Sequence, residues 1–173
     1  MTLGWRARLA ATLLALWITG ADEARAQGRA IALEGTAGWA GFVDDATIHH
    51  TVYGGGARIS LTPRISVGPE FVYMVGPDAD RDIFVMGSMW LDLLSPAAGR
   101  PVAPYVVFGG GFMSHRDELG RGPYPWKYEG SFTAGGGARV WVSDRVYVGG
   151  DVRIGWELHL RCTANVGVTW PAR

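Results

Sequence analysis

The sequence predicts an all-β protein, an eight-stranded antiparallel up-and-down transmembrane β-barrel that follows a cleaved signal peptide. Three observations carry this reading. The N-terminal segment has the make-up of an export signal, the remainder alternates apolar and polar residues with a period of two, and a hairpin-sized motif recurs 81 residues further on. The chain has 173 residues, 48% hydrophobic and 18% charged, which suits a single domain. Sixteen basic residues balance sixteen acidic ones, so the basic footprint of a nucleic-acid binder is missing and no nucleic-acid partner is expected. One Cys excludes an internal disulfide framework and a Cys-based zinc site.

The first element is the export signal. Arg6 and Arg8 form its positive start, Leu9 to Ala21 its 13-residue apolar stretch, and Ala24-Arg25-Ala26 the small-x-small pattern that precedes cleavage. The expected division is 1–26 as signal peptide and 27–173 as the outer-membrane barrel domain, starting at Gln27.

The strands follow in order. Ile31 to Val43 is the first. Gly54-Gly55-Gly56-Ala57-Arg58 then opens a hairpin that turns at Thr62-Pro63-Arg64 and runs on through Val67-Gly68-Pro69-Glu70. An apolar run from Ile83 to Leu94, a proline-rich connection from Ser95 to Pro104 and a second run from Tyr105 to Met113 give two more strands. The hairpin recurs as Gly135-Gly136-Gly137-Ala138-Arg139, turning at Ser143-Asp144-Arg145 and continuing through Val148-Gly149-Gly150-Asp151. Leu158 to Trp170 closes the series. One of its faces carries Leu160, Cys162, Ala164, Val166, Val168 and Trp170; the other carries His159, Arg161, Thr163, Asn165, Gly167 and Thr169. Alternation over ten or more residues exceeds the usual globular strand and matches the 9 to 11 residues, roughly, that a tilted strand needs to cross a bilayer.

Which face meets the solvent decides the class. A lipocalin-like soluble barrel turns its apolar face inward, whereas a membrane barrel reverses both faces. Short connections at 62–64, 95–103 and 143–145 contrast with longer or charged ones at 44–50, 76–81 and 115–127, the asymmetry of a membrane barrel. Trp39, Phe42, Tyr53, Tyr73, Tyr128 and Trp156 cluster at the long-loop end and Trp170 at the other, as interfacial girdles do. In that arrangement Glu34, Arg58, Glu70, Glu129, Arg139, Asp151, Arg153 and Arg161 share the lumen, where they must pair to offset their desolvation.

The repeated Gly-Gly-Gly-Ala-Arg hairpins, the run Pro104-Tyr105-Val106-Val107-Phe108-Gly109-Gly110-Gly111 and the terminal Asn165-Val166-Gly167-Val168-Thr169-Trp170 resemble the small eight-stranded outer-membrane β-barrels of Gram-negative bacteria, of the OmpA-like, OmpX-like and opacity-protein type. The resemblance implies the cell outer membrane, contact with outer-membrane lipid and lipopolysaccharide, and insertion by the barrel-assembly machinery, which reads an aromatic near the chain end. Here Pro171-Ala172-Arg173 follows that aromatic.

The motifs specify a fold and not an activity. A filled eight-stranded lumen disfavours a general porin, so a structural or surface-interaction role is expected, non-catalytic and without a cofactor. Two alternatives stand beside it: a soluble periplasmic lipocalin-like binding barrel and a lipid A-modifying outer-membrane enzyme. For the enzyme, Ser114, His115, Asp117 and Glu118 are the candidates, but neighbouring residues of a strand point to opposite faces. Asp44, Asp45, His49 and His50 have metal-ligating side chains at no defining spacing, so no metal is assigned. In the loop 115–127, Arg116, Arg121, Tyr124, Trp126 and Lys127 form a candidate recognition surface for an extracellular protein or for lipopolysaccharide phosphates. His159 reads as a lumen or rim residue, and Cys162, on the apolar face, as an inert thiol.

Overall fold

The computed structural model describes residues 30–43, 47–78, 80–94, 101–116 and 127–170. The expected signal peptide lies outside them. Eight strands follow one another: β1 (Ile31–Val43), β2 (Thr47–Ser60), β3 (Ile65–Val75), β4 (Arg81–Asp92), β5 (Val102–Arg116), β6 (Lys127–Trp141), β7 (Val146–Gly155) and β8 (His159–Trp170). Each pairs antiparallel with the next, and β1 closes on β8 from Ile31↔Trp170 to Phe42↔His159. Closure leaves no sheet edge, which a strand in hydrocarbon requires because no water is there to satisfy its backbone.

The alternation of the sequence becomes an inside and an outside. Outward lie Ile31, Leu33, Ile59, Leu91, Val102 and Trp170 towards the short turns, Val85, Phe108, Val152 and Val166 around the middle, and Trp39, Tyr53, Phe112, Phe132 and Trp156 towards the other rim, all exposed. Inward lie Arg58, Glu70, Asp92, Arg139, Asp151, Arg153 and Arg161, all buried. A soluble barrel has the opposite polarity. The chain is therefore a transmembrane β-barrel, its apolar band facing lipid and its charges shielded within.

The two repeated hairpins close with the same chemistry. Thr62 Oγ1 accepts from the Ile65 amide at 2.9 Å and Ser143 Oγ from the Val146 amide at 3.1 Å. Within the first hairpin the ladder lapses where Ala57 and Arg58 stand opposite Pro69 and Gly68, since Pro69 has no N–H to give. Parts of two expected connections prove to be strand: β2 begins at Thr47, so His49 and His50 belong to it, and β5 extends to Arg116, so it takes in His115.

Bare backbone makes room for the lumen side chains. A Cβ at Gly167 would run into the ring of Tyr147, whose hydroxyl joins two charged residues inside the barrel. Gly167→Ala is expected to cost about 1–3 kcal/mol as overpacking. Gly110→Ala should be silent, because nothing lies within 4 Å of that position. Urea midpoints in detergent micelles would check the pair.

Candidate functional site: a filled lumen and an imidazole-carboxylate rim

Three layers fill the barrel. In the layer near the short turns, Arg58 Nη2 donates to Glu34 Oε2 at 3.0 Å and to the Tyr147 hydroxyl, which itself donates to Glu34 Oε2 at 2.9 Å. The Arg58 guanidinium also lies 5.2 Å from the ring centroids of Trp90 and Tyr147. Arg139 pairs with Asp92 and sits 4.5 Å above the Tyr105 ring. Such rings offer a cation an electrostatic partner that needs no counter-charge.

The middle layer is built on Glu70 and Asp151. Arg153 grips Asp151 through two parallel bonds, Nε to Oδ1 at 3.0 Å and Nη2 to Oδ2 at 2.8 Å, and reaches Glu70 Oε2 with Nη1 at 2.7 Å. Arg161 donates to Glu70 Oε1 at 3.2 Å. The remaining acceptor positions are met by Ser88 on Glu70, at 2.8 Å, and by Tyr105 and Thr163 on Asp151, each at 3.0 Å. Four carboxylates thus face four guanidiniums, and the two layers balance in charge.

Two features of this interior depart from expectation. Glu129 is outside the network: β6 pairs with β7 only from Thr133 onwards, so Glu129 stands above the closed wall, exposed, with Trp156 Nε1 at 3.4 Å. Asp92, unrecognised in the apolar run from Ile83 to Leu94, takes part instead. Its signal was the two-residue phase it shares with Ser88 and Trp90, all three buried. The third layer was not foreseen either. Ala40, Phe42, Val52, Val72, Met74, Phe84, Met86 and Met113 form a buried apolar cluster inside the barrel.

Beyond that cluster, at the long-loop rim, imidazoles and carboxylates converge. His50 Nε2 lies 2.8 Å from Asp80 Oδ2 and 3.4 Å from Asp82 Oδ2. His115 Nδ1 lies 2.5 Å from Asp82 Oδ1 and 3.8 Å from Asp80 Oδ1. Phe42 stands beside this group, its ring 4.8 Å from both His50 and the buried His159.

Among the described residues, the other candidates are not brought together. His49 faces outward and packs 5.5 Å from the Trp39 ring, while its neighbour His50 points in; Asp44 and Asp45 lie outside the described residues. His49 and His50, two of those four metal-ligating side chains, therefore do not meet, because consecutive strand residues face opposite ways. The same rule separates Ser114 from His115: the Ser114 hydroxyl has no hydrogen-bond partner, whereas His115 engages Asp82. Asp117 and Glu118 lie outside the described residues. In the recognition loop Arg116 ends β5 and Lys127 begins β6, with Arg121, Tyr124 and Trp126 beyond what is described. Cys162 is half-buried on the lipid-facing side of β8.

No family model and no curated protein matches the chain. Solved structures do. The N-terminal β-barrel domain of Pseudomonas aeruginosa OprF superposes with a TM-score of 0.67 at 13% identity, over 83% of this chain and 100% of that one. Neisserial surface protein A gives 0.66 at 12% identity, over 82% and 97%. Ail, the attachment invasion locus protein of Yersinia pestis, solved in complex with the heparin analogue sucrose octasulfate, gives 0.57 at 12% identity, over 83% and 99%. At these identities the likeness is one of fold.

Proposed function

We propose that this chain, which has the fold of the small eight-stranded outer-membrane β-barrels, resides in the outer membrane as a structural or surface-interaction protein, without catalysis and without general porin activity. The observation that supports this reading is the filled interior. Charge-paired layers around Glu70 and Arg58, followed by the buried Phe42, Met74 and Phe84, oppose any hydrated path along the axis. The outward apolar band speaks against the lipocalin-like alternative, and the separation of Ser114 from His115 against the lipid A-modifying one.

Surface interaction falls to the long-loop rim. Arg116, Arg121 and Lys127 with Tyr124 and Trp126 supply cations and rings suited to lipopolysaccharide phosphates or to an extracellular protein. Ail, of the same fold, is seen with a polysulfated sugar. The terminal strand, ending at Trp170, is the segment offered to the barrel-assembly machinery.

Planar-bilayer recording tests the sealed lumen. Purified chain is expected to give no steps above the leak, and regular porin-sized steps would overturn the reading. Fractionation tests the location. Recovery with outer membranes, and a gel mobility that changes on boiling, is expected; soluble periplasmic recovery would contradict it.

A further inference from the structure

The imidazole-carboxylate group at the rim serves neither the lumen network nor the recognition loop. His50 is 3% exposed and Asp82 1%, so both are held in place, while the His115 side chain, 32% exposed, leaves the group open to the outside. Among the described residues, His50, Asp80 and Asp82 are the one set of three whose ligating atoms all lie within 4.8 Å of one another. Around a tetrahedral zinc ion with bonds of about 2.1 Å, neighbouring ligand atoms stand about 3.4 Å apart. The His50–Asp82 separation is 3.4 Å and the His50–Asp80 separation 2.8 Å; His115 Nδ1 lies 3.8 Å from Asp80 Oδ1 and 2.5 Å from Asp82 Oδ1, so His115 and Asp82 would part to admit the ion.

The surroundings favour a ligand at this point. The turn that presents Asp80 is tied by Gly76 N to Asp80 O at 3.0 Å, by Asp80 N to Pro77 O at 3.0 Å, and by Arg81 Nη1, which donates to Asp80 O at 2.6 Å. Gly76 itself is bare where a side chain would intrude: a Cβ there would come within 2.5 Å of His50 Nε2 and 2.7 Å of Asp80 Oδ2. Two carboxylates converge here on two imidazoles, a donor set of nitrogen and oxygen that suits zinc and its neighbours better than calcium.

We propose that His50, Asp80, Asp82 and His115 form a binding site for a divalent transition metal, zinc in the first instance, at the long-loop mouth of the barrel. The ion would join β2, β4 and β5 with the turn before β4, clamping the rim above the apolar layer. His50 Nε2, Asp80 Oδ2 and Asp82 Oδ2 supply the core of the site, and His115 completes it from the solvent side.

Titration of the untagged full chain with zinc in detergent, read by calorimetry and by metal content after gel filtration, tests this. One zinc per chain is expected for the wild type. His50→Ala and Asp82→Asn should each weaken binding by at least about 10-fold, as loss of a ligand must exceed loss of a ligand's outer partner. Gly76→Ala should weaken it without removing a ligand, and His49→Ala should leave it unchanged. The boiled and unboiled gel mobility of every variant confirms that the barrel has closed; if Asp82→Asn does not close, His50→Ala decides. No zinc uptake by the closed wild type, equal uptake by His50→Ala, or calcium binding as tight as zinc binding would each overturn the proposal.

Discussion

Glu70→Ala is expected to destabilise the barrel by about 3–5 kcal/mol, the loss seen when one partner of a buried ion pair is removed and the other is stranded. The magnitude follows from position. Glu70 is 7% exposed and accepts from Arg153, Arg161 and Ser88, so its removal leaves Arg161 without the carboxylate at 3.2 Å and Arg153 with Asp151 alone. Unfolding in urea from lipid vesicles, followed by gel mobility, measures the loss. Adding Arg161→Met should restore part of it, because the stranded guanidinium is then gone. A change below about 1 kcal/mol for Glu70→Ala would mean that water reaches the middle layer and screens it.

Val152→Arg is expected to cost about 2–4 kcal/mol, the penalty for a cation on the lipid face near the bilayer centre. Val152 is 51% exposed and lies on β7 between the buried Asp151 and Arg153, with Val148 and Ile154 on its own outward row. In a water-soluble barrel an exposed Val→Arg change would be nearly neutral, so this variant separates the two solvents directly. Insertion yield into vesicles and urea midpoints would both fall if lipid covers this row. Unchanged values would place water there.

Much of this architecture is legible in the sequence wherever the two faces of a strand differ. β1 runs over Ile31–Val43 as expected, and the last strand, expected from Leu158, begins at His159. In the last strand, apolar and polar residues alternate throughout, with Gly167 the one bare position of the inward row. Legibility fails where both faces are apolar. In β4, Phe84 and Met86 point into the barrel while Val85 and Met89 face lipid, so composition alone cannot say that a hydrophobic layer lies inside. The rim was hidden for a second reason. Polar residues near a strand end read as loop, which puts His50 and His115 in connections although the strands carry them inward. Asp80 and Asp82 had a usable signal, the two-residue spacing that turns both to one side, but their partners lie 30 and 33 residues away in the chain, and only closure of the barrel brings them together.

The repeated hairpins β2–β3 and β6–β7 stand four strands apart in a ring of eight, so half a turn about the barrel axis carries one towards the other. The same rotation relates Arg58 to Arg139 and Glu70 to Asp151, each pair 81 positions apart, with all four side chains inside. The lumen is thus pseudo-symmetric: two arginines flank the one Tyr147 ring, at 5.2 and 5.9 Å, and two acids flank the one Arg153. Both central residues come from the second half, whose counterparts in the first are Ser66 and Val72. The likeness is that of a doubled hairpin, and its two copies differ at these lumen positions, Ser66 against Tyr147 and Val72 against Arg153.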